Sequence, residues 1–389
     1  MITWIALALV GLPVVLFAYG YFVYPALLWL GARARPPYAK PGDPTEWPRI
    51  SIALPAYNEE RSIRRAIESL LATDYPADRR QILIVSDAST DGTDDIVREY
   101  AGRGVELLRM PKRSGKTAAE NAATRHLTGE IIVNTDATIR ILPGSIKPLI
   151  RVFQDPRVGV ASGRDMSVGD ITTEANQGES GYVGYEMWVR ALETRCGGIV
   201  GASGCFYAIR YHLQTTLFPE ALSRDFASAL ISQEHGLSAV SVDEAVCLVP
   251  RAISLDSEFR RKIRTMARGL ETLWYKRYLM NPARYGGFAL RLISHKLSRW
   301  LVFLVLPGSL LGLVILAAEF RAALVLLLIA LGGCLIGAYV MRISERRRVA
   351  RGFAVLGFAF AACLAGMIAW SKALRGERNP IWEPTRRPS

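Results

Sequence analysis

The sequence contains few cysteines and few charged residues for its length. Five cysteines occur among 389 residues, and no two of them stand in a Cys-x-x-Cys pair. A disulfide scaffold and a zinc site with paired cysteines are therefore excluded, and the pattern fits a reducing compartment for the middle of the chain. Charged residues make up 21% of the chain and hydrophobic residues 50%, which excludes a disordered chain and a wholly soluble protein.

Charge is missing altogether from residues 2–30. At 1.5 Å per residue this run is long enough to cross a hydrocarbon core of about 30 Å. A cleaved signal peptide is the alternative, but it has a basic start and a shorter apolar core, so we predict an uncleaved transmembrane helix over residues 1–30. Arg33 and Arg35 follow this run, which predicts a cytoplasmic C-terminal end by the positive-inside rule. The proline-rich residues 31–48 are interpreted as a linker.

Three further apolar segments predict transmembrane spans within residues 297–371. The segments are residues 300–318, 322–341 and 353–370, and each is long enough to span. The loop at 342–351 holds five arginines and is expected inside the cell. A third crossing would then place the basic tail, residues 372–389, outside, against the charge rule. Either one apolar segment is re-entrant or the tail departs from the rule, and the sequence leaves both open.

The formal net charge of +13 raises nucleic acid as a possible partner. The basic residues, however, cluster beside the apolar segments, where anionic headgroups and the positive-inside rule explain them. Between residues 257 and 280, apolar side chains recur at three- and four-residue steps while several arginines lie away from that stripe. We therefore predict interfacial amphipathic helices over residues 257–296, membrane lipids as partners and no bound nucleic acid.

Residues 49–256 have the pattern of an ordinary α/β domain. Strands are predicted at 50–55, 81–85, 105–110 and 130–133, with helices at 59–71, 93–100 and 116–127 between them. This alternation predicts a largely parallel sheet covered by helices. Because ligands on such sheets bind beyond the carboxyl ends of the strands, the polar residues that follow each strand form the candidate site.

Four polar segments follow these strands: Pro55–Glu59, Ser86–Thr93, Gly115–Asn121 and Asn134–Thr138. Asp87 is placed to accept hydrogen bonds from a base or a ribose, or else to cap a helix or a turn. Lys116 begins a helix, where a diphosphate binds readily, although a solvated lysine is the alternative. Asp136 ends a buried strand, where a carboxylate is costly unless it is paired or bound to a cation.

In this order and spacing the four segments resemble the family 2 glycosyltransferases, in particular the membrane-embedded branch that contains the hyaluronan, chitin and cellulose synthases. The resemblance implies an α/β fold with a GT-A-type, Rossmann-like mixed sheet, inserted between transmembrane helices as a cytoplasmic domain (49–256) at the inner membrane. It also implies a nucleotide-sugar donor and a divalent cation, Mg²⁺ or Mn²⁺, held by Asp136. Thr138 departs from the family pattern, because it replaces the second aspartate of the Asp-x-Asp motif.

The resemblance further implies roles for individual residues. On the donor side it assigns nucleotide-sugar binding to Pro55, Tyr57, Glu59, Asp87, Lys116, Asp136, Arg264 and Arg268. On the acceptor side it assigns Glu186, Gly201, Ser203, Gly204 and Arg224, with Asp225 as the catalytic general base. Thr265 stands where processive members carry a tryptophan that forms the floor of the acceptor site, which weighs against processive polymerisation.

These assignments predict one in-line displacement with inversion. Lys116 and a cation on Asp136 compensate the charge of the leaving diphosphate, while Asp225 takes the proton of the attacking hydroxyl. The expected donor is a UDP-sugar and the expected acceptor a growing polysaccharide or glycan; the alternative is a single transfer onto a polyprenyl phosphate or glycolipid. A transporter or anchor with an inactive nucleotide-binding domain belongs to another class, but residues 303–318 and 322–340 contain no charged side chain that would support transport.

Overall fold

The computed structural model describes residues 1–36, 38, 40–168, 175–250, 255–343 and 351–377. Most of the basic loop predicted at 342–351 lies outside the described residues, as do residues 378–389 of the predicted basic tail and two positions of the predicted linker. The sidedness of the membrane segments therefore stays a prediction.

An eight-stranded mixed sheet forms the centre of the domain. Its strands in chain order are β1 (Ile50–Ala56), β2 (Arg80–Ser86), β3 (Val105–Arg109), β4 (Ile131–Thr135), β5 (Arg140–Ile141), β6 (Val158–Val168), β7 (Phe206–Arg210) and β8 (Ser238–Pro250). Their spatial order across the sheet is β3-β2-β1-β4-β7-β6-β8-β5.

Strands β1 to β4 form the parallel half of the sheet. β1 pairs in parallel with both β2 and β4, and β2 pairs in parallel with β3. Ile52 and Leu54 of β1 are fully buried and pack in one apolar cluster with Ile63 and Ile67 of the helix that follows. The carboxyl ends of these strands therefore meet along one edge of the sheet, as the alternating sequence pattern predicts.

The other half of the sheet departs from the prediction of a largely parallel arrangement. β7 is antiparallel to both β4 and β6, and β5 is antiparallel to β8, whereas β6 and β8 pair in parallel. The physical reason is that hydrophobic patterning encodes burial and not strand direction. The mixed sheet agrees instead with the fold that the family resemblance implies.

The helices surround this sheet and continue into the apolar ends of the chain. In chain order they are α1 (Ile2–Ala18), α2 (Tyr24–Arg33), α3 (Ile63–Leu71), α4 (Thr93–Glu99), α5 (Lys116–Ala123), α6 (Ile146–Arg151), α7 (Ala175–Arg195), α8 (Tyr211–Gln214), α9 (Arg224–Glu234), α10 (Leu255–Tyr275), α11 (Pro282–Leu292), α12 (Ser298–Ala317), α13 (Arg321–Ile343) and α14 (Arg351–Leu374). The first helix of the domain begins at Ile63 and not at Glu59, because the intervening residues form turns.

Four segments of the described chain are long and apolar enough to cross a membrane. They are Ile2–Arg33, Pro282–Ala317, Arg321–Ile343 and Val355–Leu374. The second is kinked at Gly286, which has φ +50°. Beyond this kink it stays helical through a π-helical turn at Ile293–Leu297, so the boundary that the sequence suggests between 296 and 297 falls inside a helix. A Cβ on Gly312 would lie 2.7 Å from the backbone oxygen of Ala6, and this glycine therefore allows α12 to pack closely against α1.

The predicted amphipathic helix is present as α10, which packs against protein on two sides. Its Leu273 lies in an apolar cluster with Phe226 of α9. A Cβ on Gly269 would lie 2.8 Å from the indole of Trp300 in α12. Helix α10 thus joins the sheet domain to the candidate membrane helices, with its basic side chains close to the sheet edge.

Candidate active site

A cavity of about 260 Å³ lies between the carboxyl edge of the sheet, the start of α9 and helix α10. Of the residues predicted from the sequence, it is lined by Lys116, Asp136, Gly204, Arg224, Asp225, Arg264 and Arg268. Residues from five separate parts of the chain therefore meet in one place, and the three that carry the proposed chemistry share it: Lys116, Asp136 and Asp225.

The ammonium of Lys116 is the central cation of this cavity. Its Nζ donates to Asp136 Oδ1 at 2.5 Å and to the backbone oxygen of Gly204 at 3.1 Å. Burial by itself would lower the pKa of Lys116, but the carboxylates of Asp136, Glu120 and Asp225 outweigh it and hold that pKa above its ordinary value. Lys116 therefore carries a full positive charge at neutral pH.

Asp87 fixes the loop that delivers Lys116. Its two carboxylate oxygens accept backbone N–H bonds from Ser114 at 2.7 Å and from Gly115 at 2.8 Å. Gly115 has φ +96°, a conformation that favours glycine and turns the chain into α5. Asp87 is buried, with 4% of its surface exposed, and it does not line the cavity, so its predicted contact with the nucleotide stays a prediction.

The segment after β1 is tied to the same loop. The guanidinium of Arg113 stacks on the ring of Tyr57, 3.9 Å from its centroid. The backbone N–H of Glu59 donates to Thr93 Oγ1 at 2.8 Å, and Ser62 Oγ donates to Glu59 Oε2 at 2.5 Å. Pro55, Tyr57 and Glu59 lie beside the cavity lining and not in it, and their donor-binding role is likewise a prediction.

Asp225 lies in the first turn of α9, where the helix dipole stabilises a carboxylate. Its Oδ1 accepts a hydrogen bond from Ser223 Oγ at 2.5 Å. A Cβ on Gly204 would lie 2.9 Å from Asp225 Oδ2, so Gly204 leaves the space that this carboxylate needs. This close approach gives a geometric reason for the prediction that Gly204 belongs to the site.

Arg224 is largely buried, and its guanidinium is held by hydrogen bonds within the protein. The residue is 3% exposed, and its guanidinium bonds to Asn121 Oδ1 at 2.5 Å and to the backbone oxygen of Gln214. It stands 5.3 Å from the centroid of Phe218. These contacts are structural; acceptor binding by Arg224 stays a prediction.

Helix α10 supplies the basic wall of the cavity through Arg261, Arg264 and Arg268. Arg268 also donates to Thr117 Oγ1 at 2.7 Å and to the backbone oxygen of Leu222 at 2.5 Å. It therefore holds α10 against both α5 and the loop that precedes α9. Thr265 lines the cavity as well, at the position where the family resemblance leads one to expect a tryptophan.

Two acidic residues of the cavity were not predicted from the sequence. Glu120 lies one turn after Lys116 and is 3% exposed; burial raises its pKa, and Lys116 and Arg224 offset this in part. Asp165 of β6 accepts from Ser203 Oγ at 2.6 Å. Glu120 could have been predicted from the sequence, because a side chain four residues after Lys116 lies on the same helix face. Asp165 reaches the cavity through the antiparallel half of the sheet, which the hydrophobic pattern does not encode.

The remaining predicted acceptor residues lie toward the membrane helices. Glu186 of α7 bonds to His295 Nε2 at 2.9 Å and to Arg299. Burial would raise the pKa of Glu186, but His295 and Arg299 outweigh it and hold that pKa well below its ordinary range. The backbone oxygen of Gly201 accepts from Arg190 Nη2 at 2.8 Å, and the N–H of Ser203 donates to Ser162 Oγ at 2.8 Å. Their acceptor roles stay predictions.

The cavity suits a divalent cation that binds through oxygen ligands. Among the described residues no group of three or more His, Cys, Asp or Glu side chains is arranged to hold a metal. Asp136, 21% exposed at its side chain, offers a carboxylate at the cavity wall, with the hydroxyl-bearing Thr138 beside it in the lining. Mg²⁺ and Mn²⁺ commonly bind through one or two carboxylates with substrate phosphates supplying further ligands, and these residues fit that pattern.

The mixed sheet with its flanking helices defines a GT-A-like α/β domain. A solved structure with this fold is a mannosyltransferase from Pyrobaculum calidifontis in complex with GDP-Man and Mn²⁺, with a TM-score of 0.72 and 23% sequence identity. The likeness covers 97% of this chain and 100% of that one. Residues 51–213 match the family described as Glycosyl transferase family 2. Assignment to the hyaluronan, chitin and cellulose synthase branch stays a prediction.

Two curated relatives match part of the chain. An N-acetylglucosaminyltransferase of Mesorhizobium japonicum is 29% identical over 175 residues, which is 42% of this chain and 40% of the relative. A beta-monoglucosyldiacylglycerol synthase of Nostoc sp. is 28% identical over 157 residues, which is 39% of this chain and 33% of the relative. The chain therefore spans less than half the length of either relative.

Proposed function

We propose that this protein is a membrane-bound, inverting glycosyltransferase that moves a sugar from a nucleotide-sugar, expected to be a UDP-sugar, to an acceptor hydroxyl. The observation that carries the proposal is the single cavity in which Lys116, Asp136 and Asp225 meet. The match of residues 51–213 to the family described as Glycosyl transferase family 2 supports it, as do the candidate membrane spans on both sides of the domain.

The donor side of the reaction requires compensation of the negative charge that develops on the leaving diphosphate. Lys116 is charged, pre-positioned by Asp136 and Gly204, and partly open to the cavity, with 20% of its side chain exposed. Arg264 and Arg268 add positive charge on the opposite wall. Fixed cations in a site with little water stabilise such charge more strongly than bulk solvent does.

A divalent cation would be held at Asp136, where it supplies Lewis-acid stabilisation of the diphosphate when bound. The hydrogen bond from Lys116 Nζ orients this carboxylate before a substrate enters. Mg²⁺ and Mn²⁺ both suit the oxygen ligands of the cavity.

The acceptor side requires a base within reach of the attacking hydroxyl. Asp225 is the carboxylate placed for this work, since Ser223 orients one of its oxygens and Gly204 keeps space beside the other. Proton removal by Asp225 and attack on the anomeric carbon from the face opposite the diphosphate give one displacement, and hence inversion. Neither Asp165 nor Glu120 is assigned to nucleophilic attack. Asp165 accepts a hydrogen bond from Ser203, and burial favours the neutral form of Glu120.

The acceptor is proposed to be a growing glycan or a lipid-linked molecule. The small side chain of Thr265 in the cavity lining favours a single transfer onto a lipid over long-chain synthesis. The relative named for making a glucosyl-diacylglycerol supports the same alternative. We further propose that the domain faces the cytoplasm at the inner membrane, because basic residues follow the first span.

A donor screen tests the proposal most directly. Membrane vesicles or purified protein are incubated with common UDP- and GDP-sugars plus Mg²⁺ or Mn²⁺, and released nucleotide and product mass are measured. Release of UDP from at least one UDP-sugar, with one sugar or a ladder of sugars added to a lipid extract, is the expected result. Failure of every donor to be consumed, while the protein stays folded, would return the chain to the class of inactive anchors.

A further inference from the structure

A largely buried group of charged residues connects the sheet domain to the candidate membrane helices. We name it the junction cluster; its members are Glu186, Arg190, Glu193, His295, Lys296 and Arg299. Glu193 is fully buried and accepts from Tyr24 OH at 2.5 Å and from His295 Nδ1 at 2.7 Å. His295 Nε2 also faces Glu186, at 2.9 Å, so each carboxylate of the cluster has a partner, while Glu193 Oε2 is buried without a hydrogen bond to any residue that the structure describes.

The basic members are not all engaged in the same way. Arg190 donates to Ser162 Oγ at 3.0 Å and to the backbone oxygen of Gly201 at 2.8 Å. Arg299 pairs with Glu186. Among the described residues, Lys296 alone of these cations has neither a hydrogen bond nor an ion pair within 4.0 Å. Its one directed contact there is with the ring of Phe226, 5.7 Å from Nζ to the centroid.

The charges of the cluster do not cancel. Three basic side chains, Arg190, Lys296 and Arg299, face the two carboxylates. Burial would raise the pKa of each carboxyl, but His295 outweighs it and holds both pKa values below their ordinary range. The cluster therefore carries at least one uncompensated positive charge in largely apolar surroundings. Such a charge is costly unless an anion completes it.

Lys296 lies directly against the predicted acceptor segment. A Cβ on Gly201 would lie 3.7 Å from Lys296 Nζ and 3.2 Å from Phe226 Cδ2. At the other end of the same four-residue segment, Gly204 borders Asp225. The ammonium and the proposed base thus flank one short stretch of chain, with the membrane helices on the side of the ammonium.

The depth of Lys296 in the membrane helix points to a lipid headgroup. It lies about 21 residues before Ala317, the end of the candidate span Pro282–Ala317. At 1.5 Å per residue this is roughly 32 Å, close to the thickness of the hydrocarbon core. With Ala317 at one membrane surface, the ammonium lies at the level of the headgroups of the other.

We propose that Lys296 binds the phosphate of a lipid acceptor and holds that acceptor at the membrane edge of the Gly201–Gly204 segment. The proposal rests on the proposed transferase function and narrows its acceptor to a phosphate-bearing lipid. No covalent step is assigned to Lys296, which contributes charge and position.

A binding experiment without donor tests this assignment independently of transfer. Farnesyl phosphate and farnesol differ only in the phosphate, and their binding to the purified full chain is followed by tryptophan fluorescence. Wild type is expected to bind farnesyl phosphate roughly tenfold more tightly than farnesol, as one charge-assisted contact allows. Lys296→Gln is expected to abolish the preference, Lys296→Arg to retain it, and Lys372→Gln, at the far end of α14, to behave as wild type.

Several outcomes would overturn the proposal. Equal binding of the two probes to wild type would do so, as would a preference that survives in Lys296→Gln. Displacement by inorganic phosphate at the same concentration as by farnesyl phosphate would assign the site to a soluble anion and not to a lipid. Unchanged melting temperature and unchanged nucleotide binding of Lys296→Gln exclude misfolding. If the protein prefers farnesyl phosphate over farnesol but consumes no donor, the proposed transferase function is refuted and the proposed phosphate site is retained.

Discussion

Lys116 and Asp136 form a 2.5 Å ion pair between the start of α5 and the end of β4. The two residues are 20 positions apart in the chain, yet parallel pairing of neighbouring strands brings their segments to the same sheet edge. The pair keeps a cation and an anion poised at the mouth of one cavity. Both side chains are already partly buried. Lys116 can therefore bind a diphosphate, and Asp136 a metal, without first being transferred out of bulk water.

Replacement of Lys116 by methionine is expected to weaken nucleotide-sugar binding roughly 10- to 100-fold, the effect of one lost charge-assisted contact. Isothermal titration with UDP and with the preferred donor measures the loss. Lys112→Met is the matched control, because Lys112 is exposed in the same loop. Equal donor affinity in wild type and Lys116→Met would remove Lys116 from the diphosphate site.

Asp225→Asn is expected to reduce transfer at least about a hundredfold, because the acceptor hydroxyl loses its proton acceptor. Binding of UDP should stay within a few fold of wild type, since the proposed role concerns the acceptor alone. Asp95→Asn serves as control: Asp95 also lies in the first turn of a helix, but 83% of its side chain is exposed. Parallel collapse of UDP affinity in Asp225→Asn would contradict its assignment as base.

Gly204→Ala is expected to lower kcat roughly tenfold, because the added methyl group would stand 2.9 Å from Asp225 Oδ2 and displace the carboxylate. The KM of the donor should change little. Gly102→Ala is the control, since a Cβ there meets no heavy atom within 4 Å. A wild-type kcat in Gly204→Ala would mean that Asp225 adjusts freely and that its position is not critical.

Thr138→Asp is expected to strengthen Mn²⁺-dependent nucleotide binding, because it adds a second carboxylate to the wall that holds Asp136. Asp136→Ala should have the opposite effect. Calorimetry of UDP binding with and without Mn²⁺ measures both variants. If neither variant alters the Mn²⁺-dependent part of the binding, Asp136 does not hold the cation.

Glu120 gives the protein a pH dependence of defined sign. Burial raises the pKa of Glu120 above 4.5, so between 4.5 and the raised pKa the folded state binds more protons than the unfolded state. The free energy of unfolding therefore falls as pH rises through this window. Glu120→Gln removes this contribution, and its Tm should fall less between pH 4.5 and 7 than that of wild type.

The control for this titration is Glu220→Gln, at an exposed carboxylate on the loop before α9. It should show the pH profile of wild type. Identical profiles for Glu120→Gln and wild type would mean that Glu120 is ionised in both the folded and the unfolded state.

The sequence predicts the parallel half of the sheet well, because β1 and β4 are buried throughout and β2 is buried except at Arg80, so that their apolar runs are unambiguous. It also predicts that Lys116, Asp136 and Asp225 share one site, because their segments resemble family motifs, and the three residues line one cavity. It does not predict Asp165 or the junction cluster. Asp165 depends on the antiparallel placement of β6, and Lys296 depends on long-range packing between α12, α7 and α9, which no local pattern encodes.

The wall that α10 contributes has a practical consequence for anyone who would work with the domain alone. Arg261, Arg264, Thr265 and Arg268 all lie beyond residue 256, and Arg268 is anchored to Thr117 and Leu222. In a water-soluble fragment trimmed to residues 49–256, the side of the cavity that α10 covers would be exposed. Purification of a fragment without the hydrophobic termini would yield an intact sheet, but its cavity would be open and would lack the arginines of α10.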